Sequence, residues 1–245
     1  MTAQFTQLLL SQLIAHLLTD YTFQNDSKAN DKNTKGFKSK FLKWHALIMF
    51  LTSFILSFQL EFVFGAIIIA FTHYIIDGLK PKLNKSKSMG NYAFFIDQIL
   101  HLAIIVGVVF LFSKLFTIAP MTKGLELNKI FTLVVGFLLA GKASNIVIKE
   151  IFKIFKVSIP KNDNDLQNAG KLIGIVERWL TLAFILMSQY AAVGFLLASK
   201  SILRFKTQEG NEFNKTEYVL VGTLLSFAIA IGIGITFNLI YPPID

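Results

Sequence analysis

Long apolar runs alternate along this chain with short polar stretches dominated by Lys, Asn and Asp. Runs of about 18 or more apolar residues are the signal of membrane-spanning helices. The pattern predicts spans over residues 5–18, 41–58, 62–79, 92–116, 173–198 and 218–240, with another beginning near residue 127. A polar loop at residues 25–40 separates the first two, and a tight turn at 59–61 joins the second to the third. Pro81 should stop the third helix. Past Gly141 the fifth helix becomes amphipathic through Lys142, Lys149, Glu150, Lys153 and Lys156, which predicts an interfacial segment near residues 141–157. A loop with Pro120 and Gly124 precedes that helix, a polar linker at 160–168 follows it, and Lys200, Arg204 and Lys206 end the sixth. The expected fold is all-α: a polytopic transmembrane helical bundle of about seven spans, with six to eight as the bounds.

The polar residues inside the apolar runs are not scattered. All four histidines lie between positions 16 and 101. His16 precedes Asp20 by four residues, His73 precedes Asp77 by four, and Asp97 precedes His101 by four, while His45 stands beside Trp44. Residues four apart share one face of a helix, so each pair can aim an imidazole and a carboxylate at one point. Residues 1–118 then read as a four-helix bundle carrying a metal site, and 119–245 as accessory spans.

Charge sets the orientation. Lys and Arg in the loops after helices 1, 3 and 5 and in the helix ends beside them number six, four and six, against none, three and four after helices 2, 4 and 6. The richer set belongs in the cytoplasm, which puts the N-terminus outside and Asp245 inside. His16 and Asp20 then end helix 1, His45 begins helix 2, His73 and Asp77 end helix 3, and Asp97 and His101 begin helix 4, all at one depth.

Composition narrows the chemistry. The 245 residues are 53% hydrophobic and only 16% charged, so the net charge of +9 is that of cytoplasmic loops, not of a nucleic-acid surface. The absence of Cys excludes thiolate nucleophiles, cysteine zinc sites, iron–sulfur clusters and disulfides. No basic residue precedes the first apolar run and no small-residue cleavage site follows it, so the first helix is expected to be retained. There is no serine nucleophile elbow and no phosphate-binding glycine–lysine loop.

Imidazole nitrogen with carboxylate oxygen suits zinc, with manganese or iron as alternatives. The expected ligands are His16, Asp20, His45, His73, Asp77 and His101, with Asp97 as catalytic base or further ligand. Seven groups exceed one zinc shell, so either one or two ions bind, or some carboxylates orient ligands and take protons. Gln24 and Gln98 are candidates to orient ligands or substrate, and Lys38, Lys80 and Arg178 to hold an anionic head group. Structural readings stand beside these: a hydrogen-bonded polar network for the His/Asp face, ordinary cytoplasmic charges for the lysines, and the bilayer interface for Glu177 and Arg178. Gly170, Gly174, Gly232 and Gly234 read as helix-packing positions.

The stretch His16-Leu17-Leu18-Thr19-Asp20-Tyr21 with Gln24, then His45, His73 to Asp77 with Lys80, and Asp97-Gln98-Ile99-Leu100-His101 resembles an uncharacterised bacterial membrane family, domain of unknown function 3307. Gly170-Lys171-Leu172-Ile173-Gly174 with Glu177-Arg178, Lys200 with Arg204, and Glu217-Tyr218-Val219-Leu220 leading to Gly222-Thr223-Leu224-Leu225-Ser226 extend that resemblance over nearly the whole chain. In pattern only, the i,i+4 His/Asp helices are similar to membrane-bound metal-dependent hydrolases and to the zinc phospholipase C and P1 nuclease bundles. The N-terminal tryptophan ligand of those soluble enzymes has no counterpart, since Trp44 and Trp179 are internal.

The function expected is that of a metal-dependent hydrolase in the bacterial inner membrane, acting on a lipid or lipid-linked phosphoester at the cytoplasmic face. A homodimer through the second-half helices is the expected assembly. A proton- or ion-coupled transporter would use the same carboxylates as a relay, and a non-catalytic membrane partner protein would keep the His/Asp face closed.

Overall fold

A computed structural model describes residues 2–119, 126–157, 164–205 and 213–242. Among these residues every regular element is helical. Five helical stretches are long and apolar enough to cross a membrane: Lys40–Ser57, Leu60–Asn84, Gly90–Leu115, Leu127–Ile154 and Tyr218–Ile240. Their outward faces carry exposed Leu51, Ile55, Phe64, Ile67, Phe71, Leu102 and Phe110, as a lipid-facing surface requires. This marks a membrane protein. The chain divides into two compact units, residues 1–135 and 136–245.

In the first unit, α1 (Ala3–Leu17) packs against α3 (Lys40–Ser57) and α5 (Ala93–Leu115), and α4 (Val63–Asn84) packs against α3 and α5. The four helices close a ring. The inward stripes of α4 and α5 are apolar at one end and carry acids and imidazoles at the other. On α4 the stripe runs Ala66, Ile69, Ala70, then His73, Asp77 and Lys80; on α5 it runs Asp97, His101, then Ile105, Val109 and Phe112. The apolar ends meet in one core that joins Leu8, Ala15, Met49, Phe62, Ile69, Ile105 and Phe112. At the level of this core, Ser53 Oγ donates to Gln12 Oε1 at 2.5 Å and Gln12 Nε2 donates to the Ser53 carbonyl at 3.1 Å.

Three local expectations change. The polar stretch at 25–40 is not a plain loop: it holds α2 (Asp26–Lys35), started by Asn25, whose side chain accepts from Lys28 N at 2.9 Å. Pro81 does not stop the third predicted helix, because α4 continues to Asn84. In that last stretch its missing N–H removes only the bond to the Asp77 carbonyl. The first helix is 15 residues, continued by a π-turn at Leu18–Thr22, and is not among the five span-length helices. At the common 1.5 Å rise, 15 residues reach about 22 Å.

Gly36 and Gly78 lock α2 in place. Gly36 has φ +54°, and a Cβ there would fall 2.5 Å from the Gly78 carbonyl. A Cβ on Gly78 would fall 2.2 Å from the Phe37 ring. Both positions therefore exclude a side chain, and α2 is drawn against α4.

The second unit contains the C-terminal part of α6 (Leu127–Leu138), then α7 (Ser144–Ile154), α8 (Asn164–Leu186), α9 (Tyr190–Phe205) and α10 (Phe213–Ile240). A π-turn at Leu139–Ala143 joins α6 to α7, with Gly141 outside helical geometry. The sixth predicted span, 173–198, is broken: α8 ends at Leu186, Ser188 adopts φ +58°, and α9 begins at Tyr190. Periodicity could not reveal this, since the break contains neither Gly nor Pro. The expected loop at Pro120 and Gly124, most of the linker around Pro160, Lys206 and Asp245 lie outside the described residues.

Candidate metal centre

The polar ends of α1, α3, α4 and α5 meet. His16, Asp20, His45, His73, Asp77, Asp97 and His101 are each 5% exposed or less and form a single cluster. Four atoms are closest. His45 Nε2 and His73 Nε2 stand 3.0 Å apart. Asp20 Oδ1 is 3.1 Å from the first and 3.2 Å from the second. Asp77 Oδ2 is 3.4 Å and 3.3 Å from the same two nitrogens. These five separations are of the size found between neighbouring ligands of one zinc ion, which holds imidazole nitrogen and carboxylate oxygen at about 2.0–2.1 Å. The four residues come from three elements: Asp20 from the π-turn after α1, His45 from α3, and His73 and Asp77 from successive turns of α4.

The other groups surround this core. His101 stacks on His73, ring centroids 3.9 Å apart, and its Nε2 is 3.7 Å from both Asp77 Oδ1 and Asp97 Oδ1. His16 Nε2 lies 3.3 Å from Gln98 Oε1 and 4.0 Å from Asp20 Oδ2. Gln98 ties the wall together, accepting from Tyr21 Oη at 2.8 Å and donating to Asp20 Oδ2 at 3.3 Å and Asp97 Oδ2 at 3.1 Å. Lys80 Nζ donates to Asp97 Oδ2 at 2.7 Å.

Lys32 is the residue that sequence reading missed. It projects from α2, is 2% exposed, and donates to Asp77 Oδ2 at 2.7 Å, with His45 Nε2 at 2.9 Å. The signal was present but faint. Asn25 is a good N-cap, and Ala29, Lys32 and Gly36 fall on one face of the helix it starts, yet Lys32 counts like any cytoplasmic lysine. The α2–α3 joint is held by Asp31, which accepts from Lys35 and from the Ser39 hydroxyl, each at 2.5 Å. The Lys35 ammonium, then the Ser39 hydroxyl, hold the Asp31 carboxyl below its ordinary range.

The softer candidates divide. Lys80 and Gln98 enter the cluster. Gln24 is half-buried and donates to the Asp20 backbone carbonyl. Lys38 is exposed and lines a surface groove with Phe37, Lys40, Lys43 and Trp44, so it is not brought to the cluster. Arg178 belongs to the second unit and is 2% exposed. Its Nε donates to the Ala140 carbonyl at 2.6 Å, Nη1 to Ser226 Oγ at 2.9 Å, and Nη2 to the Gly141 carbonyl at 3.1 Å and Asn145 Oδ1 at 2.6 Å. The guanidinium offered by sequence to an anionic head group is thus engaged in pinning the π-turn at Leu139–Ala143. Glu177, its neighbour, pairs instead with Lys200 at 2.5 Å.

Residues 8–125, the stretch that carries this cluster, match the family model described as Protein of unknown function (DUF3307). That match supports an uncharacterised family and attaches no activity to it. No curated protein and no solved structure matches the chain.

Proposed function

We propose that Asp20, His45, His73 and Asp77 hold a divalent metal, zinc by preference, and that the protein is an integral membrane metal-dependent hydrolase of a lipid or lipid-linked phosphoester. One observation carries the reading: Asp20 Oδ1, His45 Nε2, His73 Nε2 and Asp77 Oδ2, brought in by three elements, meet in one buried group with five separations of 3.0–3.4 Å. The bound metal would supply an activated water or hydroxide and polarise the phosphoryl oxygen. The chain's own groups do the rest. Lys32 and Lys80 place two ammonium groups beside the centre, where an anionic head group needs them. Gln98 fixes Asp20 and Asp97 through one amide and steadies Tyr21 and His16 through its oxygen. Two uses suit the free Oδ1 of Asp97, accepting a proton from water or ligating.

Because the cluster is almost fully buried, substrate entry requires a movable cover. The polar helix α2 is that cover in this reading, and its withdrawal would carry Lys32 out with it. On a seven-span topology the lysine distribution would put the N-terminus outside and the cluster at the cytoplasmic face.

Elemental analysis of the purified protein tests the proposal. Wild type should carry at least one equivalent of metal, and His73→Ala should lose it. Absence of stoichiometric metal from both defeats the reading. A second reading rests on Lys32, whose ammonium already faces Asp77 and His45: the cluster would be a metal-free charge relay of an ion- or proton-coupled carrier. That reading expects no metal and a proton flux that Lys32→Met abolishes.

A further inference from the structure

Beside the tight group of four, three buried polar atoms have no hydrogen-bond partner: Asp77 Oδ1, Asp97 Oδ1 and His101 Nε2. Their residues are 0%, 1% and 2% exposed, so bulk water does not satisfy them. Leaving one such atom unpaired is costly, and three that face each other call for a shared guest. His101 Nε2 is 3.7 Å from each carboxylate oxygen, too far for a direct hydrogen bond. Ligands about 2.1 Å from a cation and about 120° apart are separated by about 3.6 Å. A water hydrogen-bonding all three at about 2.8 Å would hold its partners about 4.6 Å apart at tetrahedral angles. The two separations from His101 Nε2 match a cation shell and fall short of a shared water.

The two oxygens of Asp77 face different ways. Oδ2 belongs to the group with His45 and His73, while Oδ1 faces His101. We infer that Asp77, Asp97 and His101 form a second divalent-cation site, with the Asp77 carboxylate bridging it to the first. The inference rests on the metal reading proposed above and deepens it. Lys80 and Gln98, both on Asp97 Oδ2, leave Oδ1 as the ligating atom, so Asp97 serves as a ligand and not as the base.

Charge then indicates the substrate class. Asp20, Asp77 and Asp97 against Lys32 and Lys80 leave the buried site with one net negative charge. One divalent ion turns that to one positive charge, and two ions turn it to three. An excess of that size inside a low-dielectric bundle needs an anionic guest. A phosphate ester with an activated hydroxide supplies it, and two ions about 3.5–4 Å apart clamp the attacking and leaving oxygens of phosphoryl transfer.

The test is a Mn(II) titration of full-length, chelator-stripped protein in detergent, followed by electron paramagnetic resonance. Wild type should take two equivalents and give a spin-coupled signal at saturation. Asp97→Asn and His101→Gln should each take one and give an uncoupled signal. One equivalent in wild type overturns the second site while the first stands. No bound Mn(II) overturns both. Two equivalents without coupling overturn the Asp77 bridge, and two retained by both variants overturn the assignment of Asp97 and His101. Wild-type stoichiometry and coupling alone decide the matter if a variant does not fold.

Discussion

Replacing Lys32 by Met separates the metal reading from the metal-free one. Met preserves most of the volume while removing the ammonium that donates to Asp77 Oδ2 at 2.7 Å and lies 2.9 Å from His45 Nε2. Asp77 is fully buried, so without another cation its charge would be left uncompensated. Removing one partner of a buried ion pair costs about 3–5 kcal/mol. With a divalent ion on Asp77 Oδ2 the carboxylate stays paired, and relief of repulsion between ion and ammonium offsets part of the lost bond. The cost then falls to that of an ordinary hydrogen bond, about 1 kcal/mol. For a chain of this size, about 2–4 °C per kcal/mol puts the melting shift near 6–20 °C in chelator and 2–4 °C with metal. Thermal unfolding of wild type and Lys32→Met in detergent, with EDTA and with excess zinc, measures both. Equal losses under the two conditions refute the reasoning, because Asp77 would then have no cation other than Lys32.

Other outcomes follow from the packing. Gly78→Ala places a Cβ 2.2 Å from the Phe37 ring, so it should cost about 1–3 kcal/mol and speed hydrogen exchange across Asp26–Lys35. Arg178→Met strands the Ala140 and Gly141 carbonyls and Asn145; it should destabilise the second unit by about 2–4 kcal/mol yet leave metal content unchanged. Asn84 Nδ2 donates to the Asn33 carbonyl at 3.2 Å, and the chain has no native Cys. Cross-linking an Asn33→Cys/Asn84→Cys variant should tether α2 and block phosphoester turnover reversibly, as a mass-spectrometric product assay with and without reductant would read. The Asp31 clamp has a folded pKa below its unfolded value, so its contribution is present above about pH 3.9 and is lost as pH falls through the lowered range. Acid unfolding of Asp31→Asn should therefore lack that step.

The gathering of His16, Asp20, His45, His73, Asp77, Asp97 and His101 was legible because i,i+4 spacing fixes a shared helix face and each residue lies at the end of its apolar run that adjoins a lysine-rich polar stretch. Each observation constrains one direction, and together they leave one meeting point. The bundle of the first four apolar helices was legible for the same reason. Lys32 was not, since nothing in a polar stretch says which lysine turns inward until α2 is folded back on α4 by Gly36 and Gly78. Arg178 misled because a basic residue at the start of an apolar run looks like a head-group anchor. Its real partners are carbonyls freed by a π-turn, a backbone feature with no side-chain signature. The break at Ser188 was hidden for a similar reason: its left-handed backbone is adopted by a residue that does not advertise it.

X-ray absorption at the edge of the metal that co-purifies is the decisive measurement for a centre held by His45 and His73. It should show a shell of nitrogen and oxygen ligands at about 2.0–2.1 Å with the multiple scattering of imidazole, lost in His45→Ala and His73→Ala. Purified, folded protein without stoichiometric metal, or a metal shell free of imidazole and unchanged in both variants, would contradict it.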